Sequence, residues 1–294
     1  MIINRNLLVS LLLICGAFLF QGCDVINPEE SAPSYIEVNS FNYSHTTTNI
    51  SNCPSLSSNI KDVWVYIDDK FQGAYELPAR FPVLKTGDTR VILSPGIFLN
   101  GIAATRSPYP FYRPHISQVD LPENGTLKIE PTTSYFDSVG CAYCEDFSGS
   151  GFSLTATNQS DTVMYQTSSS DPNNFEGQCG VVYIDSANQV FEVTSTSAYD
   201  LPGSGAAVYV ELDYKINHPM VVGLYIVSPG TADQRTALVT LNPTEEWNKV
   251  YIQLGYTVSA YPNASGYKVF LGSILDPSIA NPVFYVDNIK VVHF

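Results

Sequence analysis

The sequence predicts an all-β protein built of two β-sandwich domains, and three observations carry that prediction. Only 14% of the 294 residues are charged, while tyrosine and phenylalanine number 19 and 15. That balance suits the pleated, half-buried surface of a sheet. Long runs of Ala, Leu, Glu and Lys, which favour helices, are missing. Short alternating segments recur between Pro and Gly punctuation every 8–12 residues or so, as in small sandwiches, and the length exceeds one ordinary domain of about 100–150 residues.

The elements follow in chain order. Residues 1–22 read as a lipoprotein signal peptide: Arg5 supplies the charge, residues 7–20 the apolar stretch, and Leu19-Phe20-Gln21-Gly22-Cys23 the small residue before cysteine. An apolar run of about 14 residues is too short for a transmembrane helix, which needs roughly 20. Cys23 is thus expected to become an acylated first residue that holds the chain at a membrane surface. Residues 23–33 form an acidic, proline-bearing tether. A strand is expected at residues 35–38, and the Ser, Thr and Asn of residues 44–58 predict a loop.

In residues 62–68, Val63, Val65 and Ile67 alternate with Trp64, Tyr66 and Asp68. A turn at residues 69–73 then leads into residues 74–77, making a hairpin. Further strands are expected at 89–93, 97–103, 116–121 and 126–129. The stretch Val65-Tyr66-Ile67-Asp68-Asp69-Lys70-Phe71-Gln72-Gly73, with Leu77-Pro78 and the later Val91-Ile92-Leu93-Ser94-Pro95-Gly96, resembles PEGA-type surface-layer domains. That resemblance implies an Ig-like structural module over residues 34–135 and no catalysis.

Residues 132–146 interrupt the pattern, and residues 136–294 form the second unit. Strands are expected at 208–214, 221–227, 247–254, 267–274 and 283–292. Three pieces carry a resemblance to galactose-binding-like jelly rolls, which include many carbohydrate-binding modules: Glu145-Asp146-Phe147, Thr244 to Tyr251, and Phe284-Tyr285-Val286-Asp287-Asn288-Ile289-Lys290-Val291. In that family the opening acid and the aspartate of the final strand often share a structural Ca²⁺, so the resemblance implies Glu145 and Asp287 as metal ligands. A solvated carboxylate, with Asp287-Asn288 as turn chemistry, is the plainer alternative.

The net charge of −14 argues against nucleic acid, whose phosphates need Lys/Arg clusters. It also argues against a polybasic membrane patch, leaving membrane attachment to the lipid on Cys23. Cys53, Cys141, Cys144 and Cys179 are disulfide candidates in an exported chain, with three possible pairings; free thiols, metal or redox chemistry are the alternatives. His45, His115, His218 and His293 are scattered, and no nucleophile elbow, zinc helix or phosphate loop accompanies them. No catalytic residue is assigned and no enzymatic activity is expected.

The segment from Arg106 to His115 combines three prolines with Tyr109, Phe111, Tyr112, Arg106 and Arg113, residue types enriched at interface hot spots. It is expected either to bind a partner or to cover the end of the first sandwich. The layout of lipid cysteine, acidic tether and sandwiches resembles Bacteroidota lipoproteins, which implies the outer membrane and the cell surface. Two functions follow as expectations: binding of an extracellular polysaccharide by the jelly roll, or a structural role in an envelope complex or adhesive layer. Exposed aromatics across one jelly-roll face would favour the first, and an apolar patch at residues 106–115 the second.

Overall fold

The computed structural model describes residues 32–44, 50 and 53–294; Cys23, the leader and most of the tether lie outside the described residues. The first unit contains β1 (Ser34–Val38), β2 (Asn42–Tyr43), β3 (Asp62–Ile67), β4 (Lys70–Glu76), β5 (Ala79–Val83), β6 (Gly87–Phe98), β7 (Arg106–Pro108), β8 (His115–Leu121), β9 (Thr126–Lys128) and β10 (Thr132–Thr133). A β5-β1-β9 sheet and a β4-β3-β6 sheet, whose far edge is shared by β7 and β8, enclose one core. The alternation in β3 places Val63, Val65 and Ile67 in that core with Ile36, Val38, Phe81, Val83, Val91 and Leu93.

Two local expectations change. The β3–β4 turn is only Asp68-Asp69, both at positive φ (48° and 64°), the signature of a two-residue type I′ hairpin, so β4 starts at Lys70 rather than after Gly73. The segment at 89–93 and only the first two residues of 97–103 belong to one twelve-residue strand, β6, while residues 99–103 turn away from it toward β7. Pro95 does not end it, because β8 pairs only as far as Leu93 and β7 begins at Gly96, so the proline sits in the gap between them.

The second unit contains β11 (Gly140–Glu145), β12 (Leu154–Ala156), β13 (Tyr165–Gln166), β14 (Gly180–Tyr183), β15 (Val190–Ser195), β16 (Val208–Ile216), β17 (Met220–Val227), β18 (Gln234–Leu241), β19 (Asn248–Gln253), the one-turn helix α1 (Gly255–Ala260), β20 (Gly266–Ile274) and β21 (Val283–His293). Sheet I runs β13-β14-β21-β16-β19, and sheet II runs β12-β15-β20-β17-β18. β21 pairs with β16 along one side; its other side is divided between β14 at residues 283–286 and β11 at residues 289–293. The ladder shifts register at Asn288, an asparagine at φ 49°, a conformation this short polar side chain tolerates. No helix among the described residues is long and apolar enough to cross a membrane.

Strand β16 shows how the two units meet. Val208, Val210, Leu212, Tyr214 and Ile216 face the jelly-roll core, so Tyr209, Glu211 and Asp213 must face outward. They are nevertheless buried, because the first sandwich lies on that half of sheet I. Tyr109, Phe111, Tyr112 and Tyr135 from the first unit pack with Tyr209, Tyr251 and Val292 of sheet I in a shared core. Asn100 joins the two backbones: its N–H donates to Tyr251 O (2.9 Å), and its Oδ1 accepts from Gln253 N–H (2.9 Å).

This overturns the partner-binding expectation for the segment after Arg106. Tyr109, Phe111 and Tyr112 are at most 3% exposed, and Arg106 is committed to Asp62 and Glu76 while Arg113 bonds Asp137. Aromatic rings beside stiff prolines are as well suited to an internal interface as to an external one, and here the partner is the chain's own second sandwich.

At the centre of the shared core lies an ionic cluster. Glu211 Oε1 accepts hydrogen bonds from the Tyr109 and Tyr135 hydroxyls, both at 2.5 Å. Its Oε2 lies 3.3 Å from Lys249 Nζ and 3.7 Å from Lys290 Nζ, and Lys249 also lies 3.7 Å from Asp213. Burial pushes the Glu211 carboxyl up, but the two ammonium groups and the two phenols outweigh it and hold it below its ordinary range.

Candidate functional site

A cleft of about 410 Å³ opens on the outer face of sheet II. It is lined by Thr157, Asn158 and Gln159 beyond β12, Thr194 of β15, Lys268 of β20, Tyr225 of β17, and Ala232-Asp233 ahead of β18. The lining therefore draws on the three central strands β15, β20 and β17 and on the loops that flank β12 and β18.

Beneath the lining, a missing side chain makes room for a buried ring. Gly223 lies opposite Phe270, and a Cβ on it would meet the Phe270 ring at 2.4 Å and Thr236 O at 2.3 Å. Glycine thus lets the buried Phe270 ring lie across the sheet. The Arg235 guanidinium stacks 4.3 Å from its centroid, and the Tyr225 ring lies 5.4 Å away. Glu192, 3% exposed, ties these groups together: it accepts from Tyr225 Oη (2.5 Å), Thr157 Oγ1 (3.0 Å) and Arg235 Nε (2.6 Å). Burial and the neighbouring carboxylate push the Tyr225 phenol up to about 12, so it stays protonated and donating.

Glu192 is thereby a fixed acceptor that positions Tyr225. The side-chain amides of Asn158 and Gln159 make no hydrogen bond within the described residues and are available to a ligand. Lys268, 3.5 Å from Asp233, completes a polar wall. An exposed groove of amides, a hydroxyl and an ammonium around one fixed aromatic ring can recognise a flat, hydroxyl-rich molecule.

The residues marked by sequence fall elsewhere. Cys53 and Cys144 form a disulfide with Cα atoms 5.9 Å apart, stapling the loop after β2 to the first jelly-roll strand. Cys141 and Cys179 are free, correcting their place among the bonded candidates. Cys141 lies 3.1 Å from Cys53 Sγ, but Cys53 already has its partner; Cys179 lies on β14's approach among Thr167 and Asn174. Burial pushes both thiols up to about 11, which leaves little thiolate at neutral pH. The three sulfurs of Cys53, Cys141 and Cys144 lie within 4.8 Å of one another, the one such group of potential ligands among the described residues.

Glu145 and Asp287 do not fit a shared Ca²⁺. Glu145 lies opposite Ile289, a core residue, whereas Asp287 lies opposite Asp213 on the face turned to the first sandwich. Both Glu145 oxygens are already used, by the Phe147 and Ser153 N–H groups and the Ser153 hydroxyl. Asp287 accepts from Asn288 and Glu176 N–H, and burial pushes its carboxyl up to about 8. The sequence pattern located both carboxylates on pairing strands but not the bulge that sets their faces. Glu192, Tyr225 and Arg235 went unmarked, because their strands lie far apart in sequence and none carries a local motif.

No family profile matches the chain, and no curated protein matches it. Among solved structures it is similar to the family 22 carbohydrate-binding and family 10 modules of xylanase 10B from Clostridium thermocellum, complexed with xylohexaose (TM-score 0.39, 11% identity, 52% of this chain and 28% of that one). A second is the enzymatically active domain of bacteriophage CBA120 tailspike protein 4 (TM-score 0.37, 11% identity, 51% and 20%). A third is the family 11 carbohydrate-binding module of Clostridium thermocellum with a β-1,3-1,4-mixed-linked tetrasaccharide (TM-score 0.34, 13% identity, 50% and 94%). The chain thus spans under a third of the xylanase and tailspike chains. Likenesses this distant leave function to the geometry of the cleft.

Proposed function

We propose that the protein is a non-enzymatic glycan-binding protein of the cell envelope, anchored by lipid on Cys23, that holds a polysaccharide across the outer face of sheet II. One observation carries the binding reading: the groove over the central strands β15, β20 and β17 pairs a single ring, Tyr225, fixed by buried Glu192, with amides free for a hydroxyl-rich ligand. Sugars present both an apolar ring face and hydroxyls, and this lining answers both. The envelope-assembly alternative loses its support, since the aromatic segment proposed for it is buried inside the chain.

Affinity electrophoresis through gels containing neutral soluble polysaccharides tests the reading. Wild type is expected to be retarded by at least one of them, and Tyr225→Ala to weaken binding about 10- to 100-fold, about 1.4–2.8 kcal/mol. A wild type unretarded across the panel would sink the proposal. For the anchor, metabolic labelling with an alkynyl fatty acid should mark wild type and spare Cys23→Ala; equal labelling would refute it.

A further inference from the structure

The half of sheet I that the first sandwich leaves bare carries a concentration of exposed aromatics. Tyr165, Val181, Tyr285 and Lys215 stand in register across β13, β14, β21 and β16, all on the outer face, with Tyr183 and Val283 forming the next row. Tyr165 and Tyr183 are 55% and 52% exposed. Beside them Phe175 packs on Trp247 with ring centroids 5.2 Å apart, and Trp247 is held by its indole N–H donating to Asn173 O (2.9 Å). Asn173 in turn donates to the Tyr285 hydroxyl (3.2 Å), so the rings are locked to the sheet.

A groove of about 510 Å³ adjoins this row, lined by Asn173, Lys215, Asn217, Thr244, Glu245 and Tyr285 among others. Thr244 Oγ1 is enclosed there with no hydrogen-bond partner among the described residues, a deficit that a ligand hydroxyl would fill. We propose that this face is a second, separate glycan-binding surface for a neutral polysaccharide, on the opposite side of the jelly roll from the sheet II cleft.

The chemistry selects that occupant. Tyrosines carry hydroxyls at their rims, and amides, one ammonium and one carboxylate flank them, whereas a lipid or an apolar protein surface would meet aliphatic side chains. A strongly anionic polymer would be repelled by a chain of net charge −14, which leaves neutral sugars. Two surfaces on opposite faces make the module bivalent, so one molecule bridges two polysaccharide chains; this bridging, unlike the binding by sheet I itself, rests on the sheet II reading.

Four proteins decide the matter: wild type, Tyr225→Ala, Tyr165→Ala with Tyr183→Ala, and the triple variant. The two sheet I tyrosines are over half exposed, so their removal leaves the core intact. Each is run through neutral polysaccharide gels and mixed with the same polymers in solution, where bridging appears as turbidity. The expected result is that Tyr225→Ala and the double variant each keep part of the retardation, the triple variant loses it at least 10-fold further, and only wild type turns the polymer solution turbid. Retardation of the double variant equal to wild type, with Tyr225→Ala abolishing it, overturns this proposal and leaves the sheet II reading standing. The reverse pattern supports sheet I binding and overturns the sheet II reading. Sedimentation showing a dimer of wild type that the double variant abolishes, with glycan binding unchanged, assigns the face to a second copy and also overturns the proposal.

Discussion

Replacing Glu211 by Gln should cost more stability than any other single polar change in this protein. Glu211 is fully buried, and its carboxylate takes two phenol hydrogen bonds on one oxygen and faces two ammonium groups with the other. The amide can still accept from Tyr109 or Tyr135, but Lys249 and Lys290 are left buried with only Asp213 to balance them. Removing one partner of a buried charge set typically costs 3–5 kcal/mol, about 4 as a central value. For a chain of this size a urea slope near 2.5 kcal/mol per molar is reasonable, so the midpoint should fall by about 1.6 M. Lys290→Met alone should also destabilise, and Glu211→Gln with Lys290→Met should cost less than the two losses added together. Trp64 sits in the first sandwich and Trp247 in the second, so Trp64→Phe and Trp247→Phe backgrounds report each unit by fluorescence. Both reporters should shift together. A midpoint change under about 0.4 M, or a shift at one tryptophan only, would refute the view that this cluster binds the two sandwiches into one cooperative body.

Further outcomes follow from the same structure. Cys53→Ser with Cys144→Ser frees a loop closed over a sequence separation of 91 and should lower stability by about 2–4 kcal/mol in oxidising buffer; equal midpoints for wild type with and without reductant would contradict this. Asp287, raised by burial from 3.8 to about 8, favours the proton in the folded state, so its contribution to stability is full below pH ~4 and declines as pH rises toward 8. Asp287→Asn should therefore gain stability relative to wild type at pH 8.5 compared with pH 5, and urea midpoints that move in parallel at both values would contradict this. Gly223→Ala should displace Phe270 and with it Arg235 and Tyr225, weakening glycan binding about tenfold or more while costing about 1–3 kcal/mol of stability; an unchanged gel retardation would show that the Phe270 ring does not position the cleft.

Much of the strand content was legible because alternation reports one buried face. Residues 62–67, 208–216, 220–227, 266–274 and 283–293 were all expected as strands within a few residues, and the observed ones keep their apolar side inward. Short strands such as β12, β13 and β14 were not legible, since two to four residues carry too little periodicity to stand out. β18 was missed for a different reason: it is an edge strand with polar and small residues on a largely exposed surface.

The sequence alone determined the β class, the inward faces of the longer strands and the acidic composition. Each of those properties depends on composition or on neighbours a few residues apart. Tertiary structure decided which outward residues see water. Glu211 in β16 and Glu192 in β15 read alike in sequence, each an acid between apolar or β-branched neighbours, yet one lies under a second domain and the other beneath a ligand-sized cleft. The tyrosines divide in the same way, Tyr109 sealing the interface and Tyr183 standing in solvent. A strand's period of two states which side chains share a face, but what covers that face is set by contacts a hundred residues away.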